Sequence, residues 1–353
     1  MTAVQVGLIG CGRIAQLVHL DLLAKLPGAQ LVALAEADEQ RLIEARSRVP
    51  TAFAVSDYRA LLERSDVEAV VICLPTALHA EAATAALAAG KHVYLEKPLA
   101  TNCDEGAAVL AAWQGTALVG MMGFNYRFNA LYMLARRAVQ VGKIGQVLAA
   151  RSVFSSGGRQ LATWKQQRRS GGGVLLDLAS HHVDLIHYLF GQPVVETYAE
   201  LRSARNEDDS AFVQLRLADG LVAQAFFSTS TVDEDRFEIY GTAGKISVDR
   251  QHGWNIVVTP SPDNAGRLRK IGRSALARVS SPYVRERITA PQAEPSYRAA
   301  LAHFVAAVRK PGLHYPDFHI GYRSLAVVAA AERSAAQGAP VAIEEAIDAH
   351  LAD

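Results

Sequence analysis

Three groups of residues in this 353-residue chain have types and spacings that could do chemistry. The first is Glu96-Lys97-Pro98, a charged pair and a proline that close the apolar run HVYL. An ammonium held at a strand tip can hydrogen-bond a substrate hydroxyl and stabilise the alkoxide that develops as hydride leaves. Pro98 fixes its own φ and biases Lys97 away from helical backbone, so the lysine is expected to stay at that tip. A strand-end ion pair between neighbours would account for the same triplet.

The second group lies in SGGGVLLDLASHHVDLIHYLFG, residues 170–191, where three glycines open an amphipathic helical pattern. Asp177 and His181 are four residues apart and therefore on one helix face. A histidine titrating near neutrality is a natural proton acceptor for an alcohol, and a carboxylate one turn back can orient it. His182, about 100° away around the helix, cannot share that direction. Asp184 and His182 remain candidates for the same work, and a plain surface Asp–His pair is the alternative.

The third group is Gly10-Cys11-Gly12-Arg13-Ile14-Ala15, between the first apolar run and the first helical pattern. Gly10 permits a tight turn and Gly12 a close backbone approach to a pyrophosphate. The small Ala15 lets the helix pack on the strand, with the amides of its first turn facing the phosphates. Glu36 follows roughly twenty residues on, where a carboxylate would accept from a ribose 2′-hydroxyl. The same charge would repel the 2′-phosphate of NADP, which favours NAD, although Arg41 stands one helical turn onward. Pro75 and Thr76, after the strand that ends at Cys73, could pack against the cofactor, and His79 lies just inside the next helix. Thr76 as an N-cap and His79 as a helix-surface residue are the bland readings of that segment.

Positioning these groups requires a particular scaffold. Residues 4–121 alternate apolar, β-branched runs (VQVGLIG, QLVALAE, VEAVVICLP, HVYLE, ALVGMM) with helical patterns. That alternation implies a parallel sheet with helices on both faces, whose ligands collect at the carboxyl ends of the strands. After about residue 123 a helix is expected over 129–141, a strand near 146–155 and a helix over 174–190. Runs such as SAFVQLRLA, LVAQAFFSTST and RFEIYGT, separated by ADG and GTAG turns, then read as an antiparallel meander. Two domains, 1–122 and 123–353, follow as the expectation, the second α+β. Residues 259–294 resist assignment. They carry Arg267, Arg269, Lys270, Arg273, Arg278, Arg285 and Arg287, which reads as an anion-gripping patch or as a solvated loop.

Composition narrows the partners. Half the residues are hydrophobic, a fifth are charged and the net charge is +1, which gives no reason to expect nucleic acid or an anionic membrane. Three cysteines without CxxC or metal-ligand spacing, and no leader-like N-terminus, lead to the expectation of a reduced cytoplasmic setting and no metal. No apolar run approaches the roughly 20 residues that span a bilayer.

Taken together, GCGRIA, the Pro75-Thr76-x-x-His79 segment, AGKHVYLEKPLA, Asn125-Tyr126-Arg127, GGGVLLDLASHHVDL, IYGTAGKI and the closing HFVAAVR and SAAQGAPVAI resemble the glucose-fructose oxidoreductase / inositol dehydrogenase / MocA (Gfo/Idh/MocA) family along essentially the whole chain. The resemblance implies a Rossmann domain followed by an α/β domain on a large, open, mostly antiparallel sheet. It also implies NAD(P)-dependent oxidation or reduction of a sugar, cyclitol or related polyol in a homodimer or homotetramer. Carried over residue by residue, His181 transfers the proton, and Lys97 and Asp177 assist around the reacting hydroxyl. Gly10, Gly12, Arg13, Ile14, Glu36, Pro75, Thr76, His79, Glu96 and Lys97 are the expected cofactor contacts. Asn125, Arg127 and Trp164, with Tyr126 and Arg168 nearby, join Lys97, Asp177 and His181 as expected sugar contacts. The match is weaker over 164–169 and 259–294. An NAD-dependent glycosidase working by transient oxidation, or a cofactor-binding sensor without catalysis, are the rival functions.

Overall fold

The computed structural model describes residues 2–157, 161–262 and 282–343. By spatial contact the chain forms two units, Met1–Asn125 with Ala290–Leu325, and Tyr126–Thr289 with Ala326–Asp353. Residues 290–325 thus pack with the first unit, whereas the division at 122/123 expected from the strand–helix pattern follows the chain alone. The basic residues Arg267, Arg269, Lys270, Arg273 and Arg278 lie outside the described residues.

The first unit is built on six parallel strands: β1 (Val4–Ile9), β2 (Ala29–Ala35), β3 (Phe53–Val55), β4 (Ala69–Ile72), β5 (His92–Leu95) and β6 (Gly120–Met122). Their order is β3-β2-β1-β4-β5-β6, the doubly wound arrangement whose switch point falls between β1 and β4. Every residue of β4 is buried, as expected of a central parallel strand covered on both faces. The returning segment adds the helix Ser296–Arg309, whose Arg309 grips both oxygens of Glu68 at 2.9 Å. Phe318 packs edge-on against Trp113, with ring centroids 5.5 Å apart.

The second unit carries eight strands: β7 (Val147–Ser155), β8 (Val194–Arg202), β9 (Ser210–Leu217), β10 (Val222–Ser228), β11 (Glu234–Gly241), β12 (Gly244–Asp249), β13 (Val257–Pro260) and β14 (Val341–Ala342). Their order is β13-β12-β11-β7-β10-β9-β8-β14, and every pair except β7–β10 is antiparallel. The expected mostly antiparallel sheet is therefore present. Buried and less buried residues alternate along β9 and β11, so one face is covered and the other is not. The helices Ala130–Gln140 and Ser180–Phe190 fall where the helical patterns at 129–141 and 174–190 place them. The second differs from expectation in two respects. Ser180 to Ile186 are all buried, so the helix is not amphipathic there, and it is preceded by a π-helical turn, Leu175–Ala179. Among the described residues no helix is long and apolar enough to cross a membrane.

Candidate active site

The glycine turn is explained by its neighbours. Gly10 has φ +87°, and a Cβ there would lie 2.8 Å from the carbonyl oxygen of Cys73, so both the backbone conformation and the close approach of the segment after β4 demand glycine. A Cβ on Gly12 would meet nothing within 4 Å, which leaves open ground beside the helix start. The amide of Gln16 donates to Gly12 at 3.0 Å, so the amides of Arg13, Ile14 and Ala15 precede the first such bond and have no partner inside the helix. Glu36 is fastened beside this turn, its Oε2 accepting from the Cys11 amide at 2.7 Å and its Oε1 from Asp38 at 3.0 Å. A carboxylate has about four acceptor positions, so two remain for ribose hydroxyls. Arg41 is exposed, and its amide donates to Asp38 as part of a helix cap. Burial and the Glu36 charge push the Cys11 thiol up to about 12, so it stays neutral in the turn. This set of orphan amides, open glycine and tethered carboxylate fits an NAD dinucleotide.

At the tips of β4 and β5 the expected cofactor contacts divide. Pro75 is half-buried and Thr76 is buried, but no side chain caps the turn Thr76–Leu78 or the helix His79–Ala88, so Thr76 is not an N-cap. His79 is only 2% exposed, not a surface residue. Its Nδ1 lies 2.6 Å from the Pro98 carbonyl oxygen and its Nε2 lies 2.9 Å from that of Leu74. Glu96 is buried, with its Oε1 2.8 Å from Nε2 of His19. His19 is fully buried and set edge-on to Tyr94 and Tyr297. Sequence reasoning missed His19, and the only signal was a lone histidine inside the apolar helix RIAQLVHL. Lys97 is half-buried, and its peptide to Pro98 is cis.

In the second unit, Asp177 sits in the π-helical turn, and its Oδ1 accepts from the Lys165 ammonium at 2.6 Å. Such turns recur at functional sites because they re-aim side chains out of α-helical register. Asp177 borders a small, open recess together with Leu161, Lys165, Asn206, Asp208 and Thr229. His181 is 8% exposed and stacks on Tyr126, with Phe154 at 6.0 Å. The neighbouring His182 is fully buried, and its Nε2 lies 3.3 Å from Oδ1 of Asp235. Asp184, weighed as a stand-in for Asp177, is instead held by Arg127, whose Nε reaches both oxygens at 3.0 Å and whose Nη2 reaches Oδ1 at 2.9 Å.

The expected sugar contacts are partly engaged elsewhere. Arg127 belongs to that Asp184 pair, with its guanidinium 5.3 Å from the Tyr188 ring centre. Asn125 is buried in the first unit and donates to Ser296 Oγ at 2.8 Å. Trp164 is half-buried on the turn Thr163–Gln166 with the Lys165 ammonium 5.3 Å from its ring centre. Arg168 pairs with Glu332 and takes Glu207 on its amide. Of the basic segment, Arg287 is 9% exposed, donates to the carbonyls of Gly253 and Gln251 and lies over the Trp254 ring, so it secures a loop and does not stand ready for an anion.

Comparison with known proteins agrees with this construction. Residues 4–124 match the description "Oxidoreductase family, NAD-binding Rossmann fold", and residues 136–343 match "Oxidoreductase family, C-terminal alpha/beta domain". Levoglucosan dehydrogenase of Pseudarthrobacter phenanthrenivorans is 28% identical, with 96% of this chain and 97% of that protein covered. Myo-inositol 2-dehydrogenase of Thermotoga maritima is also 28% identical, over 74% of this chain and 80% of its own. A dTDP-3,4-didehydro-2,6-dideoxy-alpha-D-glucose 3-reductase of Streptomyces violaceoruber is 30% identical over 88% and 86%. A solved levoglucosan dehydrogenase, in complex with NADH and levoglucosan, superposes with a TM-score of 0.84 at 26% identity and covers 98% of this chain and 100% of that one. With both halves matched and the cofactor turn in place, the chain belongs to the Gfo/Idh/MocA family and is an NAD-binding oxidoreductase.

Proposed function

We propose that this chain transfers a hydride between the nicotinamide of NAD and a hydroxyl-bearing carbon of a sugar, cyclitol or sugar derivative. The observation that carries the reading is that Glu96-Lys97-Pro98 and Gly173-x-x-x-Asp177-x-x-x-His181 are both intact in a chain that follows, along almost its whole length, a dehydrogenase solved with NADH and levoglucosan. The relatives named for myo-inositol and for a dTDP-linked hexose extend the same chemistry to other ring hydroxyls and ketones.

NAD, when bound, supplies the hydride acceptor for oxidation. The chain's own residues do the rest. Gly10, Gly12 and the amides of Arg13 and Ile14 take the pyrophosphate, Glu36 takes the adenosine ribose, and Pro75 and Thr76 line the cofactor. Lys97 donates to the substrate oxygen and stabilises its negative charge, and His181 accepts the hydroxyl proton. Asp177, already paired with Lys165, offers the substrate a mixed-charge contact on the wall of the recess. Trp164, beside that pair, supplies an apolar face for a sugar ring. Arg127 and Asn125, engaged by Asp184 and Ser296, shape the surroundings. Residues 1–122 serve the cofactor and 123–353 the substrate in this reading, and assembly is as a homodimer or homotetramer, checked by light scattering.

A screen of free sugars, cyclitols and nucleotide-linked sugars with NAD and NADP, followed by nicotinamide absorbance, tests the reading. On a substrate that the wild type uses, Lys97→Met should lose nearly all turnover, and wild-type turnover in that variant would remove Lys97 from the chemistry. Turnover without net change in nicotinamide absorbance would instead identify a glycosidase.

A further inference from the structure

His79 is among the most enclosed polar groups at the carboxyl edge of the first unit's sheet. It opens the helix His79–Ala88, and its ring lies between two backbone carbonyls. One belongs to Leu74, just after β4 and just before Pro75-Thr76. The other belongs to Pro98, just after β5 and the residue that follows Lys97. β4 and β5 are neighbours in the sheet. The imidazole therefore spans the tips of two adjacent strands, and one of those tips carries the lysine to which the proposed chemistry assigns the substrate oxygen.

The two contacts are not equivalent. A carbonyl oxygen only accepts, so a ring nitrogen facing one must carry a hydrogen, and a neutral imidazole has a single N–H. Nδ1 has the shorter approach, 2.6 Å against 2.9 Å for Nε2. The shorter approach favours the neutral tautomer with its hydrogen on Nδ1, towards Pro98; in that tautomer the Leu74 bond is added only in the imidazolium. We propose that His79 is a positioning residue for Lys97, its Nδ1–H donating to the Pro98 carbonyl and so fixing the peptide segment from which the lysine projects. Burial lowers the His79 pKa, and the two carbonyls and Glu96 oppose that shift while Lys97 adds to it. The Nδ1 link holds in either protonation state, so Lys97 stays positioned whichever form is present.

This inference rests on the proposed role of Lys97 for its importance to catalysis, but its test need not. Asparagine places an amide nitrogen where Nδ1 stands, and glutamine places one near Nε2, so His79→Asn keeps the donor to Pro98 and His79→Gln does not. Reactivity of Lys97 towards an N-hydroxysuccinimide acetate, read by mass spectrometry on the full chain, reports the lysine's setting without any substrate. His79→Asn should label Lys97 at close to the wild-type rate. His79→Gln, and His79→Leu if it folds, should change that rate by about fivefold, the factor that corresponds to a hydrogen bond of about 1 kcal/mol. Equal labelling in the Asn and Gln variants, at matched melting temperature, overturns the proposal. So does a nitrogen-15 spectrum of the wild type showing the His79 hydrogen on Nε2 alone. If labelling responds as expected while Lys97→Met keeps full turnover, the clamp stands and the catalytic reading of Lys97 falls.

Discussion

The rings of Tyr126 and His181 stack with centroids 4.4 Å apart and planes inclined by 20°. Tyr126 in turn carries the Arg250 guanidinium, 4.5 Å from its ring centre, and packs against Phe154 and Tyr132. A buried imidazole with an aromatic plate along its face has few rotamers open to it, which would keep His181 aimed in the proton-accepting role proposed for it. Tyr126→Leu removes the plate and keeps an apolar side chain. It should lower kcat by roughly tenfold or more, since small misplacements at a reacting centre cost up to about a hundredfold. Affinity for NADH, followed by fluorescence, should change little. A fall in NADH affinity with kcat preserved would mean that the stack does not serve the proton transfer.

Behind that plate lies a second buried constellation. Asp235 is fully buried and accepts from Arg250 Nε at 2.7 Å and from the Tyr132 hydroxyl at 3.0 Å, with His182 Nε2 at 3.3 Å. Burial would raise its pKa, but the charge of Arg250 and the contact with His182 outweigh burial and hold the carboxyl well below the usual carboxylate range. Arg250→Met leaves that carboxylate buried without its cation, so urea denaturation should show a loss of about 3–5 kcal/mol. Combining it with Asp235→Asn should recover part of the loss, because the uncompensated charge is gone. A double variant as unstable as the single one would locate the cost in packing.

How much of this was written in the sequence depends on how local each cause is. The tight turn at Gly10 was legible because it imposes a positive φ and a close backbone approach that glycine alone meets readily. The strand–helix alternation was legible because both faces of β1 and β4 are covered. His19 and Glu96 are 77 residues apart, Arg127 and Asp184 57, and His182 and Asp235 53, so no periodicity connects them. The π-helical turn at Leu175–Ala179 reads as ordinary helix in composition, and the burial of Ser180 to Ile186 is fixed by tertiary packing around the helix. The return of residues 290–325 to the first unit is equally invisible locally, since Arg309 meets Glu68 across 241 residues.

Cofactor preference tests the clearest of the local readings. Glu36 is already aligned by the Cys11 and Asp38 amides, so it is ready to accept from a ribose hydroxyl without reorganising. Hydrogen bonds to a charged group are worth about 1.5–3 kcal/mol, so Glu36→Ser should weaken NAD by roughly 10- to 100-fold. It should also remove the repulsion of a 2′-phosphate, with the exposed Arg41 nearby in sequence, and so raise the relative use of NADP. The ratio of kcat/KM for NAD over NADP is the measurement. A ratio that does not move would show that Glu36 braces the glycine turn and does not read the ribose.

Acid stability tests the wall of the recess beside Asp177. Asp209 is 1% exposed and gathers the loop before it, accepting from the amides of Ala204 at 3.1 Å, Arg205 at 2.6 Å and Asn206 at 3.0 Å, and from the Ser230 hydroxyl at 2.6 Å. Burial opposes ionisation, but the Ser230 hydroxyl and those three amides prevail and bring its pKa from 3.8 down to about 2. A carboxyl whose pKa is depressed on folding contributes stability that is fully present above its unfolded value and is lost as the pH falls through the folded one. The contribution here, on the order of 2 kcal/mol, should therefore be intact at neutral pH and disappear between about pH 4 and pH 2. Asp209→Asn removes the titrating group. Its deficit in unfolding free energy relative to the wild type should be largest at neutral pH and shrink across that acid window, because the protonated wild-type side chain then resembles the amide. A deficit constant with pH would assign the effect to the altered loop geometry and not to the charge.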